Sequence, residues 1–325
     1  MSRTLWLHIG HGKTGSSYLQ SVLALNREAL IGRGVDYPAP RDIAAARLGE
    51  TTVGNASRFR RQLGGAWSSR LAGVRHRFGR RDVLLSNEGL LNALAYEVSR
   101  RNLMRFAAVA GFDRIRALLF IRDPDEHFLS FYGQVVKYRG ETRDIDDMLS
   151  RYPPPRNVNA FLKAMRDEPD VDVTVRNYSR VRGALKAELA DWLGLSVNAL
   201  ADPPVSAVNR SLTAEEIAVQ RALNHRFGPC PALYADRIGR APPMSPATKL
   251  ALTAPQRDRL RDDLQVTMRR VNKWLPEEDH YRFQMAVAAT PFDLGQSAFS
   301  PAQRAAFEDA AARADTKRSP GLRRR

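Results

Sequence analysis

The stretch Leu5-Trp6-Leu7-His8-Ile9-Gly10-His11-Gly12-Lys13-Thr14-Gly15-Ser16-Ser17 decides how this chain folds. Leu5 to Ile9 read as a buried strand, Gly10, Gly12 and Gly15 as a tight turn, and the periodic segment that opens at Ser16 as a helix. Strand, glycine loop and helix in that order place backbone amides at a helix N-terminus, where the dipole favours an anion. The loop is a variant of G-x-x-x-x-G-K-[ST]: Gly10 and Gly15 keep the spacing, Ser16 takes the lysine position, and Lys13 lies inside the turn. This rearrangement keeps the anion cradle and loses the arrangement that holds Mg²⁺ and a γ-phosphate. The same glycines would also serve an ordinary β–α turn, so the loop alone does not settle the matter.

Outward from the loop, strand-like and helix-like patterns alternate over the first two hundred residues. Thr4–Ile9, Val83–Ser86, Arg116–Ile121 and Val171–Arg176 read as strands, with a short one at Val35–Tyr37. Ser16–Leu30 reads as a helix with Tyr18, Val22, Leu25 and Ala29 on one stripe and Leu19, Leu23 and Leu30 beside it; Gly32 and Gly34 end it. Further helices are expected at roughly 56–79, 95–110, 124–138, 157–167 and 181–193, with proline breaks at 153–155 and 203–204. Beyond residue 200 the pattern is helical, and Thr213 to Glu216 has capping-box spacing. The expectation is an α/β fold: a P-loop NTPase-like parallel sheet flanked by helices, with a helical C-terminal third. Residues 1–225 form the α/β core, 226–311 a helical extension completing the same domain, and 312–325 a basic, disordered tail.

Composition narrows the function classes. At 325 residues, 43% hydrophobic and 26% charged, the chain has the makeup of an ordinary globular protein. No apolar run is long enough to span a membrane and no signal peptide is recognisable, so the cytosol is the expected compartment. The lone Cys230 excludes an intramolecular disulfide or a cysteine-rich metal site. No H-x-x-x-H or carboxylate cluster has metal-ligand spacing, and no metal is expected. The net charge of +16 raises the possibility of a polyanion partner, but residues 312–325 alone carry +5. Aromatics are not interleaved with a basic stripe, which weighs against specific nucleic-acid binding. Only seven of the 51 basic residues are lysines, so Lys13 stands out against an arginine background.

A second motif is Leu118-Leu119-Phe120-Ile121-Arg122-Asp123-Pro124, with Ser130 eight residues after the arginine. An arginine at the C-terminal end of a parallel strand points into the ligand crevice, and a hydroxyl in the following helix can meet the same group. Fork and donor together suit a phosphate monoester. The competing reading pairs Arg122 with Asp123 or Glu126 as a structural ion pair.

Taken together, the two motifs resemble the sulfotransferase family that uses 3′-phosphoadenosine-5′-phosphosulfate (PAPS). Its 5′-phosphosulfate loop carries Lys-x-Gly-Thr/Ser-Thr/Ser, matched by Lys13-Thr14-Gly15-Ser16-Ser17. Its 3′-phosphate site carries an Arg, a Pro and a Ser eight residues after the Arg, matched by Arg122, Pro124 and Ser130. The resemblance covers roughly residues 3–195. It implies that Gly12, Lys13, Thr14, Gly15, Ser16 and Ser17 hold the 5′ end of PAPS, that Arg122 and Ser130 hold the 3′-phosphate, and that Lys13 stabilises the leaving oxygen. The Lys-Thr-Gly form of the loop, with Tyr18 where the phenol and steroid enzymes carry Trp, is similar to the carbohydrate-type and bacterial members and points to a glycan or other hydroxylated acceptor. Glu88, directly after Val83-Leu84-Leu85-Ser86-Asn87, emerges at the same sheet edge and is the expected catalytic base, with His11 its competitor. A small-molecule P-loop kinase and a basic nucleic-acid or polyanion binder are the rival readings.

Among the remaining candidates, His8 is expected in the core, His127 near solvent, Lys137 as a helix cap, and Trp67, Trp192 and Trp274 as packing residues; Asn209-Arg210-Ser211 reads either as a ligand contact or as a helix entry.

Overall fold

The computed structural model describes residues 2–49, 52–65, 81–204, 212–228, 249–283 and 300–318. Five parallel strands form one sheet: β1 (Thr4–Ile9), β2 (Val35–Asp36), β3 (Asp82–Asn87), β4 (Arg114–Ile121) and β5 (Val171–Asn177), in the order β2-β3-β1-β4-β5. β1 is central, with Leu5 opposite Val83 of β3 on one side and opposite Ile115 of β4 on the other. A strand paired on both edges and covered on both faces must be apolar almost throughout, which is why β1 shows no polar alternation. Helices flank the sheet. The chain leaves β1 toward β2 and β3 and then crosses to β4, so the direction of winding reverses beside β1, and the crevice of an open α/β sheet opens at the carboxyl ends next to such a reversal.

Two compact units are present. The first comprises Met1–Pro124, Pro153–Val208 and Leu264–Arg282 and holds the whole sheet; the second comprises Asp125–Tyr152, Asn209–Asp263 and Phe283–Arg325. Within the sheet unit, Leu19, Val22 and Leu23 of the first helix pack with Leu84, Leu118, Phe120, Leu189 and Trp192. Trp6 and Trp192 meet edge to face, with ring centres 4.9 Å apart, so Trp192 is a packing residue as expected. In the second unit, Thr213 and Glu216 form the expected capping box of the helix Ala214–Phe227, each side chain accepting from the other's backbone N–H. No described helix is long and apolar enough to cross a membrane.

Several local expectations are corrected. The helix read over 16–30 breaks at Asn26 into Ser16–Leu25 and Arg27–Gly32. Asn26 is spent elsewhere: its Nδ2 donates to Ala201 O at 2.9 Å and its Oδ1 accepts from Ala201 N–H at 2.8 Å, tying the helix junction to a distant loop. The buried stripe is Leu19, Val22 and Leu23, while Tyr18 is exposed and donates to Asp202 Oδ1. Pro154 and Pro155 open the helix Pro154–Met165, because proline is tolerated where a helix's first amides have no partner anyway. His127 is buried, and its Nδ1 lies 2.6 Å from Tyr152 Oη. The helix Pro301–Arg318 runs into the stretch expected as a tail, carried by its alanines. Trp67, His76, Asn209-Arg210-Ser211, Cys230 and the second half of the helix expected over 56–79 lie outside the described residues.

His8 is a core histidine, as expected. Its Nδ1 lies 2.8 Å from Ser86 Oγ, and burial pushes its pKa down from 6.5 to about 4. The folded state therefore binds fewer protons than the unfolded state between those values, so this histidine's contribution to stability is intact above pH 6.5 and is lost as the pH falls toward 4. Urea unfolding should show the wild type losing about 2 kcal/mol between pH 6.5 and 5 from this group, and His8→Asn should flatten that part of the profile. An identical slope in the variant would assign the acid sensitivity to other groups.

Candidate functional site

Three strand ends build the site, all within the sheet unit. At the end of β1, Gly10 N–H reaches Asn87 O at 3.4 Å, and a Cβ on Gly10 would lie 2.5 Å from Glu88 Cα. Only glycine allows this approach, and it sets the loop against Glu88. The loop then turns through left-handed backbone at Gly12 (φ 73°), Lys13 (φ 55°) and Gly15 (φ 78°). Lys13 is the one non-glycine residue with positive φ among the described residues. Left-handed backbone at a residue with a side chain costs roughly 1–2 kcal/mol and persists only where its surroundings impose it. Mixing left- and right-handed residues is how a turn makes its amides converge on an anion.

Gly15 is the N-cap of the helix Ser16–Leu25, and no side chain caps that end. The first-turn amides therefore face the loop with the positive end of the dipole. A Cβ on Gly15 would meet the Leu185 side chain and press on Tyr178, and the left-handed backbone there strains any side chain. Thr14 Oγ1 and Ser16 Oγ are buried with no protein hydrogen-bond partner. Two such hydroxyls beside an uncapped helix start fit a bound anion, because a buried donor without a partner costs about 1–3 kcal/mol.

At the end of β3, Asn87 pins the turn. Its Oδ1 accepts from Gly89 N–H at 2.9 Å, and its Nδ2 donates to Val53 O at 2.6 Å and to Ser57 Oγ at 3.0 Å. Glu88 is presented between these contacts. Burial raises its pKa above the ordinary carboxylate range, and the nearby positive charge of Lys13 works in the opposite direction. Beneath the turn runs a buried polar chain: Thr52 donates to Gln20 at 2.9 Å, and Gln20 Nε2 donates to Ser86 Oγ at 3.3 Å, next to the neutral His8.

At the end of β4, Arg122 turns back toward β1, where its Nη1 donates to Lys13 O at 3.1 Å. Its guanidinium lies 5.3 Å from the centre of the Tyr178 ring. Asp123, one of the two carboxylates considered as an ion-pair partner, is committed to other groups: Arg180 Nη1 lies 2.8 Å from its Oδ2, and Asn177 Nδ2 and Arg282 N–H donate to its Oδ1.

The carboxyl edge thus gathers Gly12, Lys13, Thr14, Gly15, Ser16, Ser17, Glu88 and Arg122. His11 lies in the same loop and is buried. Ser130 lies farther along, half-buried in the helix Pro124–Arg139, and belongs to the second unit. Tyr178, Leu185 and Asn87 complete the site and escaped the sequence reading. The one signal for Tyr178 is its position at the end of the strand-like Val171–Arg176, the same edge as Arg122. Among the described residues, no group of three or more His, Cys, Asp or Glu side chains is placed to hold a metal ion. Compared with known proteins, the chain matches no family model and no curated protein sequence.

The strained Lys13 peptide separates two roles of one residue. Lys13→Gly and Lys13→Ala both remove the ammonium, and only glycine relieves the left-handed backbone. In denaturant unfolding, Lys13→Gly should be more stable than Lys13→Ala by about 1 kcal/mol, while both lose anion binding equally. Equal stability of the two variants would mean that the turn carries no strain.

Proposed function

We propose that this protein is a P-loop-type sulfotransferase that moves a sulfuryl group from PAPS to an acceptor hydroxyl, with a glycan as the favoured acceptor class. The observation that carries the reading is the convergence, at one sheet edge, of an anion cradle with two unpartnered buried hydroxyls, a lysine inside the loop and a half-buried carboxylate beside that lysine.

The residues present fit such a donor. The first-turn amides, Thr14 and Ser16 would hold its 5′ end, Ser17 opens the same helix, and Arg122 would take the 3′-phosphate; Ser130 enters this reading through its sequence motif. PAPS supplies an activated sulfuryl group whose bond to a phosphate oxygen breaks as the acceptor oxygen attacks. Glu88 takes the proton of the acceptor hydroxyl while that oxygen bonds to sulfur, and the raised pKa brings its basicity closer to neutral pH. Lys13 faces the phosphate oxygen that is released and stabilises the charge developing there. The loop, held by Arg122 through the Lys13 carbonyl, keeps the ammonium in place before reaction, so little reorganisation is needed at the barrier. A kinase acting through an ordinary triphosphate loop needs its lysine where Ser16 stands.

Calorimetry with the full chain should show 3′,5′-adenosine bisphosphate binding more tightly than ATP. The opposite order would favour the kinase, and tight binding of nucleic acid without nucleotide preference would favour a polyanion binder. Lys13→Ala should abolish transfer. Glu88→Gln should retain nucleotide affinity and lose at least about 100-fold in turnover. Wild-type turnover should rise with pH through a value above the usual carboxylate range, a limb that Glu88→Gln lacks. A normal rate in Glu88→Gln would remove Glu88 from the chemistry and leave His11 as the candidate.

A further inference from the structure

At the opposite edge of the sheet unit, a groove of about 480 Å³ is lined by Lys163, Arg166, Asp167, Arg270, Lys273 and Trp274. The helix Pro154–Met165 leads into β5, which starts at Val171, so its C-terminal end lies at the amino edge of the parallel sheet. About 20 Å of strand separates this edge from the carboxyl edge that carries Lys13 and Glu88. The groove is therefore separate from the carboxyl-edge crevice.

Its composition is unusual for a packing seam. Lys163 and Arg166 are three residues apart, as are Arg270 and Lys273, and all four are exposed. Each pair straddles a helix C-terminus, Arg166 just after Met165 and Lys273 just after Asn272, and the two pairs converge on one groove. Asp167 is the single carboxylate in the lining, and it makes only a long, exposed contact of 4.0 Å with Arg166. Helix dipoles favour cations at C-termini, but they do not require both pairs to share one groove with an indole. Trp274, 38% exposed, has the Arg166 guanidinium 4.3 Å from its ring centre. The sequence reading assigned it to packing.

We propose that this groove binds a short anionic oligosaccharide, with sulfate or carboxylate groups paired to the four cations and a sugar ring against the exposed part of Trp274. The lining favours this ligand over nucleic acid. Single strands are held by successive aromatic platforms, and the lining contains one aromatic residue. The proposal stands independently of sulfuryl transfer at the carboxyl edge.

The test is titration of the full-length protein with a sulfated hexasaccharide, its desulfated counterpart and a single-stranded DNA of equal charge, following both heat and tryptophan fluorescence. Saturable binding of the sulfated sugar alone is expected, weakened at least tenfold in Lys163→Glu/Lys273→Glu and unchanged in Lys13→Ala. Trp274→Phe should retain the fold and lose the fluorescence response, which keeps the test valid should the charge-reversed variant fail to fold. Equal or tighter binding of DNA, undiminished binding in a folded Lys163→Glu/Lys273→Glu variant, a full fluorescence response in Trp274→Phe, or loss of binding in Lys13→Ala would each overturn the assignment.

Discussion

The site depends on one hydrogen bond, from the Arg122 guanidinium to the carbonyl oxygen of Lys13. Lys13 occupies backbone space that its side chain disfavours. A hydrogen bond to a charged donor contributes about 1.5–3 kcal/mol, enough to offset the roughly 1–2 kcal/mol of left-handed strain. The donor comes from just beyond β4 and the acceptor from the loop after β1, two strands paired from Thr4 opposite Arg114 to Ile9 opposite Leu119. Sheet register thus becomes loop geometry: a shift between β1 and β4 would release the turn and point the ammonium elsewhere.

The residue after Arg122, Asp123, is held by partners of its own. Arg180, Asn177 and the backbone of Arg282 surround that carboxylate, which is fully buried. A buried carboxylate needs partners to remain charged. Their assembly from β5, the turn after it and residue 282 fixes Asp123 beside the guanidinium that reaches the loop. The same division of labour holds at β3, where Asn87 ties down the turn and leaves the adjacent Glu88 exposed to the field of Lys13. At both of these strand ends, one polar residue is tied down by fixed partners and its neighbour faces the loop after β1.

What could be read beforehand follows from the range of the interactions involved. The strands β1, β3, β4 and β5 and the glycine loop were legible because apolar runs and glycine spacing report local backbone demands. Their assembly into a five-stranded parallel sheet followed from the alternation of patterns, and Lys13, Ser16, Glu88 and Arg122 could be placed at one edge because parallel strands put all their carboxyl ends together. The break at Asn26 was not legible, since its cause is a contact with Ala201, 175 residues away. Neither was the helix start at Pro154, where the proline cluster reads equally well as a break. Tyr178 and Leu185 were hidden for a related reason: they matter to Gly15 only through tertiary packing, which leaves no trace in spacing.

The pairing of Lys13 with Glu88 has a consequence for the proposed chemistry. The Lys13 ammonium lowers the pKa of a carboxyl that burial raises. An anion seated in the loop would neutralise part of that ammonium and add negative charge beside Glu88, and both effects favour the protonated carboxyl. Glu88 would then be a stronger base when the donor is bound than when the site is open. Base strength generated by donor binding confines proton abstraction to the loaded state and ties acceptor activation to the presence of a transferable group. The same loop that must bend left-handed to hold the anion would thereby also set the basicity of the residue across from it.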